Sequence, residues 1–170
     1  MKNLSKFFMG AAALVLLTGC ASLKKVDYKE FHEKAVAAAK EENGYTKAVV
    51  DGTMKTTSGG KTVEYKLDKV ELTGLTNGLV DVTKLSLADL TSMSEEKLMA
   101  MSIASMHAED IGEANEEGAE VAYYVGNGFK ASGKDKDGNE STLEYNKFGL
   151  LTSMKAKGTT EANLTVKWSK

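Results

Sequence analysis

The sequence predicts an α+β fold with one antiparallel sheet of about eight strands, an N-terminal helix and a mid-chain helical insertion. Apolar residues follow helical spacing near residue 30, alternate with polar residues in two later parts of the chain, and lose that alternation in between. Helices and strands thus occupy separate blocks, which is typical of α+β folds. We expect the sheet to be strongly curved, like a half-barrel, with the helices covering one face.

The first predicted element is a helix that begins after Asp27. Glu30 lies three residues beyond Asp27, which is the spacing of a capping box, and the helical pattern continues to Glu42 before Asn43-Gly44 ends it. The apolar residues on one stripe of this helix are Tyr28, Phe31, Ala35, Ala38 and Ala39. A helix with one apolar stripe packs that stripe against a flat partner such as a sheet.

A β-hairpin is predicted next, because two alternating segments flank Ser58-Gly59-Gly60. The alternating apolar positions are Val50, Gly52 and Met54 in the first segment and Val63, Tyr65 and Leu67 in the second. Val70 and Leu72 are out of phase with the second segment, which predicts either a β-bulge or a twist in one long strand. A third short strand is expected at 79–82, after Asn77-Gly78.

The middle of the chain, residues 86–117, is predicted to form one or two helices. Leu and Met residues recur there without β-branched alternation, and Ser92-x-x-Glu95 has the spacing that starts a helix. Residues 84–120 contain nine acidic residues and two Lys. We call this segment, residues 84–120, the acidic helical cap.

The last fifty residues are predicted to form an antiparallel meander. Strands are expected at 119–125, 129–132, 141–147, 150–156 and 163–168. Glycine-containing turns separate them at short intervals, and such turns join antiparallel neighbours. Leu164, Val166 and Trp168 alternate strictly, so one face of this sheet should be apolar.

The first twenty residues combine three features of an export leader. Lys2 and Lys6 form a basic start, an apolar run covers residues 7–17, and Leu17-Thr18-Gly19-Cys20 follows. The run is shorter than the ~20 residues that a membrane-spanning helix needs. This arrangement resembles the lipobox of bacterial lipoproteins. The resemblance implies cleavage after Gly19, a diacylglyceryl group on the Cys20 thiol and often an acyl chain on the new amine.

The leader divides the chain into a signal peptide at 1–19, a lipidated Cys and tether at 20–26, and a single domain at 27–170. Asp directly after the lipidated Cys resembles an inner-membrane retention signal in enteric bacteria, and Ala21 occupies that position here. We therefore expect a protein that is exported and lipid-anchored to a bacterial membrane. The outer membrane, facing the periplasm, or the cell surface is favoured over the inner membrane.

Composition excludes several classes of function. All 22 basic residues are Lys, set against 24 acidic residues, so the chain has no guanidinium group for bidentate recognition of phosphate. A nucleic-acid partner is therefore not expected. The single Cys cannot form a disulfide within the chain.

The sequence also lacks the arrangements that most catalytic sites need. It has two His and no Gly-x-Ser-x-Gly nucleophile elbow. The segment 58–62 lacks Walker spacing and lies between two strands, so it reads as a hairpin turn. Asp135, Asp137 and Asn139 start like a calcium loop, but Glu140 replaces the required sixth-position glycine. We expect no enzymatic activity, no metal and no cofactor.

The methionines form an unusual helical stripe. Met99, Ile103 and Met106 fall at i, i+4 and i+7, with Met101 and His107 close by. Three interpretations are open: a core-facing helix, the adaptable wall of a ligand pocket, or a Cu(I) site made by the three methionines and His107.

The order of elements carries a second resemblance. An anchor, one helix, a long hairpin, a helical break and a meander together resemble the LolA-like carriers and the LppX-type lipoproteins. Those proteins form an incomplete barrel whose open side is covered by helices, and the barrel encloses an apolar cavity for lipid or acyl chains. The carriers place Arg in that cavity, and this chain has none, so the resemblance does not extend to lipoprotein shuttling.

We therefore predict a non-enzymatic lipoprotein that binds a lipid or acyl chain between sheet and helices, besides its anchor in the membrane. The expected pocket residues are Tyr28, Phe31, Tyr65, Met99, Ile103, Met106 and Trp168, with Trp168 packed against the helix that contains Tyr28 and Phe31. The alternative is a structural or interaction lipoprotein with a filled core, which docks an envelope protein through the acidic helical cap. An empty apolar cavity favours the first function and a filled core the second.

Overall fold

The computed structural model describes residues 22–81, 85–112, 119–125, 127–135 and 137–170. One antiparallel sheet has eight strands in the order β1-β4-β5-β6-β7-β8-β2-β3. The strands are β1 (Leu23–Val26), β2 (Lys47–Ser58), β3 (Lys61–Thr73), β4 (Glu120–Tyr124), β5 (Gly128–Lys134), β6 (Glu140–Asn146), β7 (Leu151–Lys157) and β8 (Thr160–Ser169). The helices are α1 (Tyr28–Ala39), α2 (Leu87–Ser92) and α3 (Glu95–Ala104), followed by a 3₁₀ turn (Ala108–Asp110). The predicted α+β class and antiparallel sheet are confirmed, and the sheet is open.

Helix α1 begins where the sequence predicts and ends earlier. The Asp27 side chain accepts a hydrogen bond of 2.8 Å from the backbone N–H of Glu30, so Asp27 is the N-cap. The Glu30 carboxylate turns away from the cap and accepts from Lys24 instead, so only half of a capping box forms. The helix ends at Ala39, before the predicted Glu42.

The predicted hairpin and bulge are both confirmed by β2 and β3. Gly59 and Gly60 have φ of 57° and 76°, the positive values that a two-residue type I′ turn requires at both positions. Further along the hairpin, Val50 of β2 pairs with Val70 of β3, and Gly52 pairs with Leu67. Between these two pairs β2 has one residue, Asp51, whereas β3 has two, Asp68 and Lys69. This extra residue explains why the apolar phase shifts after Leu67.

The strand predicted at 79–82 is wrong. Thr76 and Leu79 hydrogen-bond to each other across Asn77-Gly78 and form an isolated bridge, and Val82 lies outside the described residues. The turn is fixed by Asn43, a buried residue whose side-chain N–H donates to the Asn77 carbonyl oxygen at 2.9 Å. This tertiary bond outweighs the local β propensity of the segment.

The N-terminal boundary also differs from the sequence interpretation. Residues 1–19 and Cys20, assigned to the leader and the anchor, lie outside the described residues. Leu23–Val26, assigned to the tether, forms β1 and pairs with β4, with Val26 opposite Val121. The sheet therefore begins within the segment 20–26.

The helical insertion forms two helices with caps of their own. Ser86 caps α2 in a reciprocal capping box with Asp89, and Ser94 caps α3 by accepting from the backbone N–H of Lys97. The predicted start at Ser92 is therefore two residues early. Helix α3 packs against β2 and β3, whereas α1 packs against the 3₁₀ turn and β4.

The predicted meander is confirmed as β4 to β8, and its register aligns apolar residues across the whole sheet. One row of direct cross-strand neighbours runs from β1 to β3: Val26, Val121, Ala131, Leu143, Met154, Leu164, Gly52 and Leu67. Direct neighbours share a face of the sheet. Phe31 of α1 and Ile103 of α3 are buried in the same apolar cluster as this face.

Candidate functional site

Four of the predicted pocket residues lie in or against the buried apolar cluster between sheet and helices. Phe31 is 0% exposed and its ring meets Phe129 edge-on at 5.6 Å between centroids, and Ile103 is 2% exposed. Met99 and Met106 are partly buried against the same cluster. The methionine stripe thus contributes to packing, in line with the first of its three interpretations.

Tyr65 and Trp168 share the apolar face of the sheet but lie far apart on it. Trp168 is opposite Ala48 of β2, and Tyr65 is opposite Met54, six residues further along the same strand. Six residues of a strand span roughly 20 Å. These two side chains therefore do not line one pocket.

The surroundings of Trp168 differ from the expected ones. Its indole N–H donates a 2.7 Å hydrogen bond to the backbone carbonyl of Leu151, and its ring lies 6.3 Å from that of Tyr45. The indole is half-buried beside these groups, and Phe31 packs on Phe129 instead. The alternation of apolar and polar residues in β8 correctly predicts that Trp168 lies on the apolar face of the sheet. It does not predict which residues contact the indole.

A cleft of about 320 Å³ lies at the β1 end of the sheet. Its floor consists of the apolar side chains that begin the cross-strand row: Val26, Val121, Ala131 and Leu143. Tyr28 at the start of α1 and Ile111 after the 3₁₀ turn form an apolar wall. Of the predicted pocket residues, Tyr28 alone lines this cleft.

The rim of the cleft is polar. Asp27, the N-cap of α1, and Ser141, two residues before Leu143 on β6, also line the cleft. Lys25 and Glu120 line it as well, but each directly adjoins a floor residue along its own strand. Their side chains, joined by a 2.8 Å ion pair, therefore lie on the opposite face of the sheet. The cleft thus combines an apolar floor with a few polar groups at its edge, which is typical of small-molecule sites.

Two sets of contacts hold the walls of the cleft in place. The Tyr28 hydroxyl donates to the Ile111 carbonyl oxygen at 2.8 Å, which joins α1 to the segment after the 3₁₀ turn. Glu30 of α1 accepts from Lys24 of β1 at 2.9 Å and from the Tyr123 hydroxyl of β4 at 3.2 Å. The hydrogen bond to Lys24 lowers the pKa of the Glu30 carboxyl, and the same bond raises the pKa of Lys24.

Sequence reasoning missed the floor of this cleft. The sequence pattern assigns Val26 to a tether, because a four-residue strand with two lysines has no readable alternation. It predicts strands at Val121 and Ala131 but gives no sign that these residues line a site. The available signal was the single apolar residue directly before the helix cap Asp27, which marks a buried entry into the helix.

The described residues contain no group of three or more His, Cys, Asp or Glu side chains that could hold a metal ion. Tyr145 is 3% exposed, and its hydroxyl has no hydrogen-bond partner within the described ranges. Burial raises the pKa of this hydroxyl far above its ordinary value, so Tyr145 stays a neutral phenol. We therefore assign no acid or base role to it.

Within the part of the chain that the structure describes, every helix is too short or too polar to cross a membrane. Comparison with protein-family models, with curated proteins and with solved structures found no match for this chain.

Proposed function

We propose that this protein is a non-enzymatic bacterial lipoprotein, exported and anchored to its membrane through Cys20, that binds the acyl chain of an amphiphile in the β1-end cleft. The observation that carries the proposal is the cleft itself, with its apolar floor and the Ser141 hydroxyl at its edge. The floor suits an acyl chain, and the hydroxyl can donate a hydrogen bond to a polar headgroup. This site replaces the wall of Met99, Met106 and Trp168 that the sequence suggested.

The position of the cleft along the chain supports a ligand taken from the membrane. Val26, on the cleft floor, is six residues after Cys20, and an extended chain covers at most about 3.6 Å per residue. If Cys20 carries acyl chains, the floor lies within about 22 Å of the anchored sulfur. An acyl chain that leaves the bilayer near the anchor would therefore have this cleft within reach.

The volume of the cleft limits the size of the ligand. About 320 Å³ is at the lower end of the 300–1,000 Å³ typical of small-molecule sites. That space accommodates one acyl chain in part and not a two-chain phospholipid. A single-chain amphiphile, such as a fatty acid, is therefore the ligand class that we propose.

The expected half-barrel shape belongs to this proposal. The register shifts in β3 and between β6 and β7 are bulge-like, and bulges increase the local twist and bending of a sheet. Buried residues of α1 and α3 join the cluster on the apolar face. A strongly curved sheet with both helices on its concave face would account for these contacts.

The binding proposal is tested with a fluorescent fatty acid and the chain from residue 21 onward. Ala131→Phe should abolish most probe binding, because Ala131 is on the cleft floor. Ala162→Phe is the matched control, since Ala162 on β8 is on the same apolar face outside the cleft and is equally buried, 8% against 7% exposed. Equal loss in both variants, or no binding by the parent chain, would reject the proposal.

The anchor is tested separately. Cys20→Ser should abolish incorporation of radiolabelled palmitate and leave an uncleaved or slowly cleaved precursor, because the thioether forms on this thiol. Labelled palmitate on the Cys20→Ser protein would contradict the lipobox interpretation.

A second function is favoured by a different observation, the exposed apolar residues of the acidic helical cap. Helix α2 buries none of its residues, and Leu87 and Leu98 are 79% and 40% exposed next to acidic side chains. Asp89, Glu95 and Glu96 are the acidic residues on these two helices. A protein partner with a basic rim around an apolar hollow would complement this surface.

The second function makes its own prediction. Leu87→Ser with Leu98→Ser should remove a cross-linked partner in intact cells and leave fatty-acid binding unchanged. Unchanged cross-linking in the double variant would reject the docking function.

A further inference from the structure

The β3 edge of the sheet is long and open. Strand β3 has 13 residues, more than any other strand, and among the described residues it pairs with β2 alone. An edge of this length presents a row of unpaired backbone N–H and C=O groups, which proteins normally shorten, cover or use for binding.

The hairpin geometry fixes which residues of β3 direct their backbone groups outward. In a two-residue hairpin, Ser58 and Lys61 form the closing hydrogen-bonded pair, and the pairs then alternate along the ladder. Thr62 therefore belongs to a non-hydrogen-bonded pair, in agreement with the 3.0 Å distance between its hydroxyl and that of Thr57. Thr62, Glu64 and Lys66 consequently present their N–H and C=O groups to the open edge.

The side chains along this edge are complementary to a second copy of the same edge. We propose that two copies of the chain pair antiparallel through β3, with the two-fold axis at Tyr65. Glu64 then lies opposite Lys66 of the partner subunit, and the converse pair forms on the other side of the axis. These two pairs supply four backbone hydrogen bonds and two ion pairs.

The opposite face of the strand is complementary in the same register. Val63 lies opposite Leu67 of the partner subunit, and Tyr65 faces Tyr65 of the partner subunit. Val63 is 49% exposed in the single chain, an unusual value for a large apolar residue next to a packed sheet. The pairing removes much of this exposed surface from water.

The alternative registers are less favourable. An axis at Glu64 or at Lys66 places like charges directly opposite each other, which is destabilising. A two-fold axis at Val63 brings no Glu opposite a Lys, so no ion pair forms. With a two-fold axis at Leu67, the bulge residues Asp68 and Lys69 would have to join the hydrogen-bonded ladder between the two copies. Charge and backbone geometry therefore select the Tyr65 register.

Cross-linking in membranes of cells that express the full chain tests this register. In the proposed dimer the Tyr65 residues form a non-hydrogen-bonded pair with Cα atoms about 4.5 Å apart, close enough for a disulfide. The Val63 residues of the two copies are four positions out of register, roughly 13 Å apart. Tyr65→Cys should therefore give an oxidised dimer and Val63→Cys should not, although Val63 is the more exposed residue.

The parent chain contains only Cys20 and supplies the background. Equal dimer yields from Tyr65→Cys and Val63→Cys, or no dimer above that background from Tyr65→Cys, would overturn the proposal.

Charge exchange tests the same pairing with Tyr65 intact. Either Glu64→Lys or Lys66→Glu alone should weaken self-association of the detergent-solubilised full chain about tenfold in sedimentation, because each places two like-charge pairs in the interface. The double variant Glu64→Lys with Lys66→Glu should restore it. A parent chain that stays monomeric, or a double variant as weak as the single ones, would reject the two-fold pairing.

Discussion

Gly52 provides a stringent test of the strand register, because its backbone position admits no side chain. It lies in the middle of β2, between Leu164 of β8 and Leu67 of β3, with φ of +130°. A Cβ atom at this position would meet the backbone carbonyl oxygen of Asn163 and approach the Leu164 Cα to 3.0 Å. Gly52→Ala should therefore force β8 away from β2.

The expected destabilisation has two contributions. A backbone held at a φ that L-residues avoid costs about 1–3 kcal/mol. Displacing the Asn163 carbonyl would break about two ladder hydrogen bonds, each worth about 1 kcal/mol net. Together they reduce the free energy of unfolding by about 4 kcal/mol, a large part of the 5–15 kcal/mol typical of a domain.

Urea unfolding followed by fluorescence of Trp168, the only Trp, measures this change. With an m-value of about 2 kcal/mol/M, Gly52→Ala should lower the midpoint by about 2 M. Gly60→Ala is the matched control, because Gly60 also has positive φ, +76°, but has no neighbouring atom within 4 Å of the added Cβ. Its cost should be about 1 kcal/mol. Equal midpoints for the two variants would refute the assigned pairing of β2 with β8.

Three further changes test the contacts around the core and α1. Phe31→Ala should destabilise the domain by about 3–5 kcal/mol in thermal unfolding, since Phe31 is fully buried, and a loss below about 1 kcal/mol would contradict its place in the core. Trp168→Phe should reduce the free energy of unfolding by about 1 kcal/mol, because it leaves the Leu151 carbonyl without its donor. Since this variant has no Trp, its urea unfolding is followed by circular dichroism, and an unchanged midpoint would mean that this bond contributes nothing. The pKa of Glu30 is lowered from its ordinary 4.5 by Lys24, so its contribution to stability is present above that value and is lost as pH falls through the lowered pKa. Between about pH 6 and about pH 3 the free energy of unfolding should consequently fall less for Glu30→Gln than for the parent chain. Identical pH profiles of the two chains would contradict the coupling between Glu30 and Lys24.

Local sequence signals were sufficient to predict the elements whose geometry is set by neighbouring residues. Asp27 predicted the start of α1, and Gly59-Gly60 predicted the hairpin, because a cap and a type I′ turn depend on a few adjacent dihedral angles. The shifted phase of Val70 predicted the bulge for the same reason. The strand at 79–82 failed because a distant residue, Asn43, decides the conformation of that turn.

The candidate site depended on contacts that local patterns do not contain. Strand β1 is stable only through β4, almost one hundred residues later, so four residues with two lysines looked like a tether. A helical stripe such as that of Met99 and Met106 has the same period whether it faces a filled core or an empty pocket. Trp168 and Tyr65 have the correct face, but their separation along the sheet depends on pairing through β2.

The place of β8 between β7 and β2 has a consequence for the time course of folding. Ala48 and Trp168 pair although they are 120 positions apart, whereas the β2–β3 hairpin and the meander from β4 to β7 contain only local pairings. Local pairings form quickly, and long-range closure is slow. During synthesis from the N-terminus, β2 would keep one edge unpaired until β8 has been made, and such an edge is prone to aggregation. Completion of the sheet therefore depends on the ten residues of β8, and a premature stop before Thr160 would leave a hairpin and a meander without the strand that joins them.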